Sequence, residues 1–560
     1  MKEVSEKKNN LIFVLAMAAL LLLQFSVLLH YGNKKAGFHE DELYTYYSSN
    51  KTAGLFVNDR QWLDCEELKN EFVVLDGERF RYSVVKQMQS WDVHPPFYYY
   101  IFHTAASLFP GVFSKWTGIG VNLAAFILSY VLLAYGVYTA VTCGKKGEMA
   151  VPEGKNTALR GVLQERRRTG MVLAFLTCLA WGFGGAVISG VMFIRMYQWL
   201  TVFVLLCMDL HLRAVKKEDF RVKTFFLPLC LTVFFGFLTQ YYYIIFHFFL
   251  GVGFIFLLLK NKKIKELILY AVSCGLGFCA AVLYYPASLS HIFRGYRGTE
   301  AVSEFSNAAN TWERLRFFYG LFDDYMMNGT LSVWLLVICL LAVTTGYLRK
   351  RGKSEGTVFG QTIGLLLFTC AGYFFIISKT ALLLGETSNR YQLPIYGILL
   401  FLMIYGMWML LWRFAAVLKR ERIFGIFAGV FAAVLLLTDG LALKDGRVFF
   451  LYGEEKEVME FVEENRDIPV VVFYNEASSD NIWRLSDELM VYPKVYLASQ
   501  GNAEPLKDEE ILGSRRLLVY VADYENQEDC IYRLLESAPH LDSCRIVARK
   551  GLWTFYELSA

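Results

Sequence analysis

The chain has 560 residues, 55% of them hydrophobic and 16% aromatic against only 19% charged, and its mean hydropathy is +0.35. That balance excludes a water-soluble globule and marks an integral membrane protein. A formal net charge of +4 carries no meaning as a total and points to no nucleic-acid partner, so the placement of charge along the chain is what informs.

In chain order, the first apolar run is Leu11 to Leu29, preceded by Lys2, Lys7 and Lys8. It is long enough to cross a hydrocarbon core of roughly 30 Å and no small-residue cleavage pattern follows it, so a retained first transmembrane helix is expected. Further runs of spanning length lie near 117–143, 170–189, 196–213, 223–241, 243–260, 265–286, 331–348, 359–378, 393–412 and 424–443. Length alone therefore predicts a polytopic α-helical membrane protein with about eleven transmembrane helices.

Basic residues gather in alternate connections: 145–168, with the triplet Arg166-Arg167-Arg168, then 213–223, 260–265, 349–353 and 413–422. Short cytoplasmic loops concentrate Lys and Arg. The expected topology is thus a multi-pass cell-membrane protein with a cytoplasmic N-terminus and, given an odd number of spans, an external C-terminus. The segment Phe97 to Phe109 is apolar but short, and counting it as a span would put the Arg166 triplet outside. It is expected as an interfacial or re-entrant helix within the first external loop, 31–116. A long external loop near 286–330 mixes Arg297, Trp312, Arg314, Arg316 and Phe317, a composition suited to the membrane surface, with or without a lipid site beneath it.

From Gly453 the pattern changes to short alternating elements, as in a small α/β unit. Helices are predicted over 454–465, 480–490 and 527–537, strands over 468–474, 495–498 and 516–521, and a closing hairpin over 544–558. The expected division is a transmembrane domain over 1–443 and an extracytoplasmic α/β domain over 444–560. No G-x-G-x-x-G fingerprint and no P-loop occurs, so no nucleotide cofactor is expected. Most of the eleven cysteines fall inside apolar runs and read as packing residues; Cys530 and Cys544, in the tail, could pair.

Two stretches of the first external loop carry chemistry. The first is FHEDELYT, Phe38 to Thr45, with Asp41-Glu42 just past the first span; acids at a helix start complement its dipole. The second is Trp91-Asp92-Val93-His94-Pro95-Pro96 followed by Phe97 and three tyrosines, where the prolines stop one segment and start a helix and the tyrosines suit a membrane interface. Four consecutive residues, His39 to Glu42, cannot all converge on one ion and no HExxH spacing supplies further ligands, so no metal is expected.

These stretches, with Arg195-Met-Tyr197 and Asn389-Arg390-Tyr391-Gln-Leu-Pro394 later in the chain, resemble the GT-C membrane glycosyltransferases. The bacterial members related to protein O-mannosyltransferases and aminoarabinose transferases are the nearest in pattern. The resemblance covers roughly residues 11 to 443. It implies transfer of a sugar from a polyprenyl-phosphate carrier to an acceptor glycan, lipid or protein at the outer face, with the first acid of the pair, Asp41, as general base and Glu42 beside it. A single base without a second carboxylate nucleophile implies direct displacement with inversion. The departing phosphate needs its charge stabilised, and Arg390, Arg195 and Lys379 lie at predicted external ends of spans. His94 reads as a hydrogen-bonder rather than a base, and joins Arg195, Tyr197, Lys379, Arg390 and Tyr391 as candidate donor-binding residues. The alternative is a glycan or lipid-linked sugar transporter, which would favour ionisable residues deep in several spans and paired repeats; Asp209 and Asp439 lie near span ends, and no repeat is evident.

Overall fold

A computed structural model describes residues 2–50, 57–142, 156–217, 219–350, 360–417, 421–523 and 527–560. Of the basic loops named above, 145–155, 218, 351–353 and 418–420 lie outside the described residues. The chain divides into two compact units, one built from 1–32, 89–98 and 119–449, the other from 33–88, 99–118 and 450–560.

The first unit is helical. Its opening helix, α1 (Lys2–Lys34), starts polar and carries an apolar span over Asn9–Lys34, and among the described residues eight helices are long and apolar enough to cross a membrane, or ten if each of two bent pairs is one span. These ten coincide with expected runs, and the remaining run, 424–443, falls on the helix Glu421–Lys444. Large apolar side chains face outward, with Leu22 67%, Val343 71% and Leu283 79% exposed. Such a surface is stable only against lipid, where the helix satisfies its own backbone groups. The run expected as one span over 170–189 is broken: helix Gln164–Phe183 meets helix Gly185–Met192 at 58°. Gly182, Gly184 and Gly185 put three weak helix formers within four residues, and Gly184 is extended at φ −61°, ψ 131°. The expected 286–330 loop is itself mostly helical, and its last helix turns by 96° into the next span.

The second unit is α/β. Helix α2 (Glu40–Asn50) precedes a six-stranded sheet in the order β1-β3-β2-β4-β6-β5, where β1 is Gln61–Asp64, β2 Val470–Tyr474, β3 Lys494–Ser499, β4 Arg516–Ala522, β5 Ser543–Lys550 and β6 Trp553–Ser559. The central strands β3, β2 and β4 are parallel and apolar except for Lys494, Ser499 and Arg516 at their ends, as suits strands covered on both faces; the closing hairpin β5–β6 is antiparallel, as expected. The edge strand β1 was not foreseen: four residues show no readable period, and its place is made by Trp62 packing edge-on against Tyr496 at 5.4 Å. The segment expected as a helix over 480–490 is a 3-10 helix, Glu476–Leu485, interrupted at Ser478, then a single turn, Ser486–Leu489. Cys530 is buried, Cys544 exposed, and both thiols are free. Helix Phe97–Leu108 has 12 residues, too few for the about 20 that a span needs. Its Tyr98 and Tyr99 are fully buried rather than at a surface.

Candidate active site

In the second unit the acidic stretch forms the first turn of α2. The backbone N–H of His39 donates to Glu42 Oε2 at 2.6 Å, so Glu42 reaches back over the helix start as the acid of a capping box does. The same oxygen takes a bond from Lys35 Nζ at 2.9 Å, and both side chains are fully buried. Lys35 also donates to the carbonyl of Phe450 at 2.7 Å. Glu42 is therefore paired and dry. Asp41 is 30% exposed on the other side of the turn. Its backbone N–H donates to His39 Nδ1 at 3.0 Å, and its carboxylate lies 3.7 Å from the same ring nitrogen.

In the first unit, His94 stands in the turn before helix Phe97–Leu108. Its Nδ1 is 2.8 Å from Asp92 Oδ2 and its Nε2 is 3.2 Å from a terminal nitrogen of Arg195. A guanidinium can only donate, so Nε2 accepts and the Nδ1 proton points at Asp92. Burial pushes the Asp92 carboxyl up, but His94 and then Arg195 outweigh it and hold the group below the usual carboxylate range. Tyr285 donates to the carbonyl of His94 at 3.3 Å.

Arg195 lies in the break at 193–196 between helices Gly185–Met192 and Tyr197–Lys217. The carbonyl of Phe193 there accepts from Arg195 N at 2.7 Å and from Asn122 Nδ2 at 2.7 Å. The same amide caps Val191 O at 3.2 Å. Onto this break comes Arg390 from the first turn of helix Asn389–Val417, its guanidinium 5.2 Å from the Phe193 ring, 5.8 Å from Tyr197 and 5.1 Å from Tyr391. Tyr242 stacks edge-on to Tyr391 at 5.8 Å. Arg195 is 3% exposed and Arg390 6%. Arg390 also donates to the Tyr391 hydroxyl at 3.2 Å.

The structure thus joins His94 with Arg195, and Tyr197 with Arg390 and Tyr391. Lys379 makes different contacts: its ammonium, 2% exposed, donates to the carbonyl of Asn307 at 2.6 Å and to the Asn310 side chain. Sequence reasoning did not single out Asp92, Asn122, Phe193 and Tyr242. Only Asp92 left a readable signal, two residues ahead of His94. Among the described residues no group of three or more His, Cys, Asp or Glu gathers as a metal-ligand set.

The fold comprises a unit of long apolar helices, two pairs of them bent, and a small sheet unit. The chain matches no protein-family model and no curated protein. Among solved structures it is similar to ArnT from Cupriavidus metallidurans bound to undecaprenyl phosphate, over 96% of this chain and 97% of that one, at a TM-score of 0.51 and 10% identity. The fold is ArnT-like.

Proposed function

We propose that this protein transfers a sugar from a polyprenyl-phosphate carrier to an acceptor hydroxyl at the external membrane face. What carries the reading is Arg390, a guanidinium kept dry among three aromatic rings, in a fold shared with a protein crystallised with undecaprenyl phosphate. Buried arginine in a membrane protein is costly and marks function by default.

In the proposed reaction the acceptor oxygen bonds to the anomeric carbon as the bond from that carbon to the carrier phosphate breaks. The electron pair leaves with the phosphate and the acceptor proton passes to the Asp41 carboxylate. The product carrier is polyprenyl phosphate, the same chemical species that ArnT holds in its crystal. One displacement inverts the anomeric centre. Arg390 and Arg195 stabilise the departing dianion through charge-assisted bonds, with the Tyr197 and Tyr391 rings packed against the Arg390 guanidinium. His94, oriented by Asp92, fixes the Arg195 guanidinium. Glu42 supports the start of α2 on which Asp41 stands, and Lys379, held by Asn307 and Asn310, serves the donor side as a further cation.

A deletion strain should accumulate one polyprenyl-linked sugar, identified by mass spectrometry, and purified wild-type protein should consume it. Asp41→Asn should lower turnover about 10²–10⁴-fold, the usual worth of a general base, with undecaprenyl phosphate binding unchanged. Wild-type turnover by this variant would end the role assigned to Asp41.

A further inference from the structure

The tail of the chain contacts the acidic helix and the residues before it at several points. The N–H of Ala36 donates to the carbonyl of Leu451 at 2.7 Å, and Phe450 accepts from Lys35. A Cβ built on Gly37 would fall 1.9 Å from Glu455 Oε2, so the tail's carboxylate sits against the backbone four residues ahead of Asp41. The interrupted 3-10 helix contributes two side chains. Trp483 lies 4.2 Å from the Tyr47 ring and 5.8 Å from Tyr44, and Arg484 pairs with Glu40 Oε2 at 2.5 Å. The other oxygen of Glu40 accepts from Tyr44 at 2.9 Å.

We propose that Arg484 is a positioning residue for the Asp41 helix, so that the C-terminal α/β segment is a working part of the catalytic site. This rests on the reading of Asp41 as general base. The Arg484–Glu40 pair is about one-third exposed on each side and such pairs add little to stability; its effect is orientation and charge. Three carboxylates in succession open α2. Lys35 pairs with Glu42 and Arg484 pairs with Glu40, the acids on either side of Asp41, whose own carboxylate lies 3.7 Å from His39 Nδ1. Without Arg484, the charge on Glu40 acts on Asp41 uncompensated and disfavours its ionised form.

The test uses full-length protein in lipid nanodiscs, with the polyprenyl-linked sugar extracted from the deletion strain as donor. Arg484→Ala should lower kcat about tenfold or more, leave KM and undecaprenyl phosphate affinity within twofold, and move the acid limb of the pH–rate profile upward. Hydrogen exchange over residues 40–47 should quicken while the rest of the chain is unchanged. Arg484→Lys, which keeps the charge, should recover most of kcat. Wild-type kcat, or wild-type exchange over 40–47, in Arg484→Ala overturns the proposal, as does a lysine variant no better than alanine. Failure of the reading of Asp41 as general base shows separately, as full turnover by Asp41→Asn, and the exchange measurement then decides alone whether the tail holds α2.

Discussion

A carboxylate that takes a proton from a substrate has to be reachable, whereas one that holds a helix end can be dry, and residues 41 and 42 meet these opposite demands on one turn. Glu42 is buried against Lys35, and deleting one partner of such a pair strands the other at about 3–5 kcal/mol. A third acid, Glu455, has a different predicament. One ammonium, Lys550, serves three carboxylates at once, lying 3.0 Å from Glu455, 3.1 Å from Asp487 and 3.0 Å from Glu488. Burial raises the Glu455 pKa to about 7, Lys550 opposing and the two acids adding to it. The folded state therefore binds this proton more tightly than the unfolded chain, whose glutamate titrates near 4.5. Stability from this group is highest below about 4.5, falls as pH rises towards about 7 and is level above, a span worth on the order of 3 kcal/mol. Urea unfolding of wild type and Glu455→Gln from pH 4.5 to 8 should show this slope in the wild type alone; parallel curves would refute it.

Among elements, the break at 193–196 does most to make a site. A helix end leaves carbonyls without partners, and inside a bundle no water is at hand to serve them. Asn122, fully buried on the neighbouring helix, fills that need for Val191 and Phe193. Asn122→Ala should cost about 1–3 kcal/mol and, by loosening the segment that carries Arg195 and receives Arg390, weaken undecaprenyl phosphate binding several-fold. Thermal unfolding in detergent and a binding titration check both, and unchanged values would remove Asn122 from the site's support. The spans were legible because twenty apolar residues in a row admit few other structures, and the parallel strands because Val470 to Tyr474 is apolar throughout. The helix break was present in the glycines at 182, 184 and 185, but a hydropathy window averages over them. Asn122 was not legible at all: an amide inside a span looks the same whether it caps a carbonyl or meets another helix, and only the partner helix decides. The pairing of His94 with Arg195 joins residues 101 positions apart, which no local pattern encodes.

For the whole molecule, one charge asymmetry bears on everything proposed for Asp41. The Arg166 triplet is exposed on helix Asn156–Phe183, and the preference of short cytoplasmic loops for Lys and Arg predicts it inside. The expected odd number of spans then predicts the exposed Cys544 of the sheet unit outside. In a variant whose other cysteines are serine, a membrane-impermeant maleimide should label Cys544 on intact spheroplasts. With Cys544 also changed to serine, a cysteine placed by Arg167→Cys should react only after the membrane is opened. The reverse pattern would set the α/β segment on the cytoplasmic side, and with it α2 and Asp41, which share that compact unit. An acceptor at the outer face would then be out of reach of the proposed base, whatever the arginines of the first unit bind.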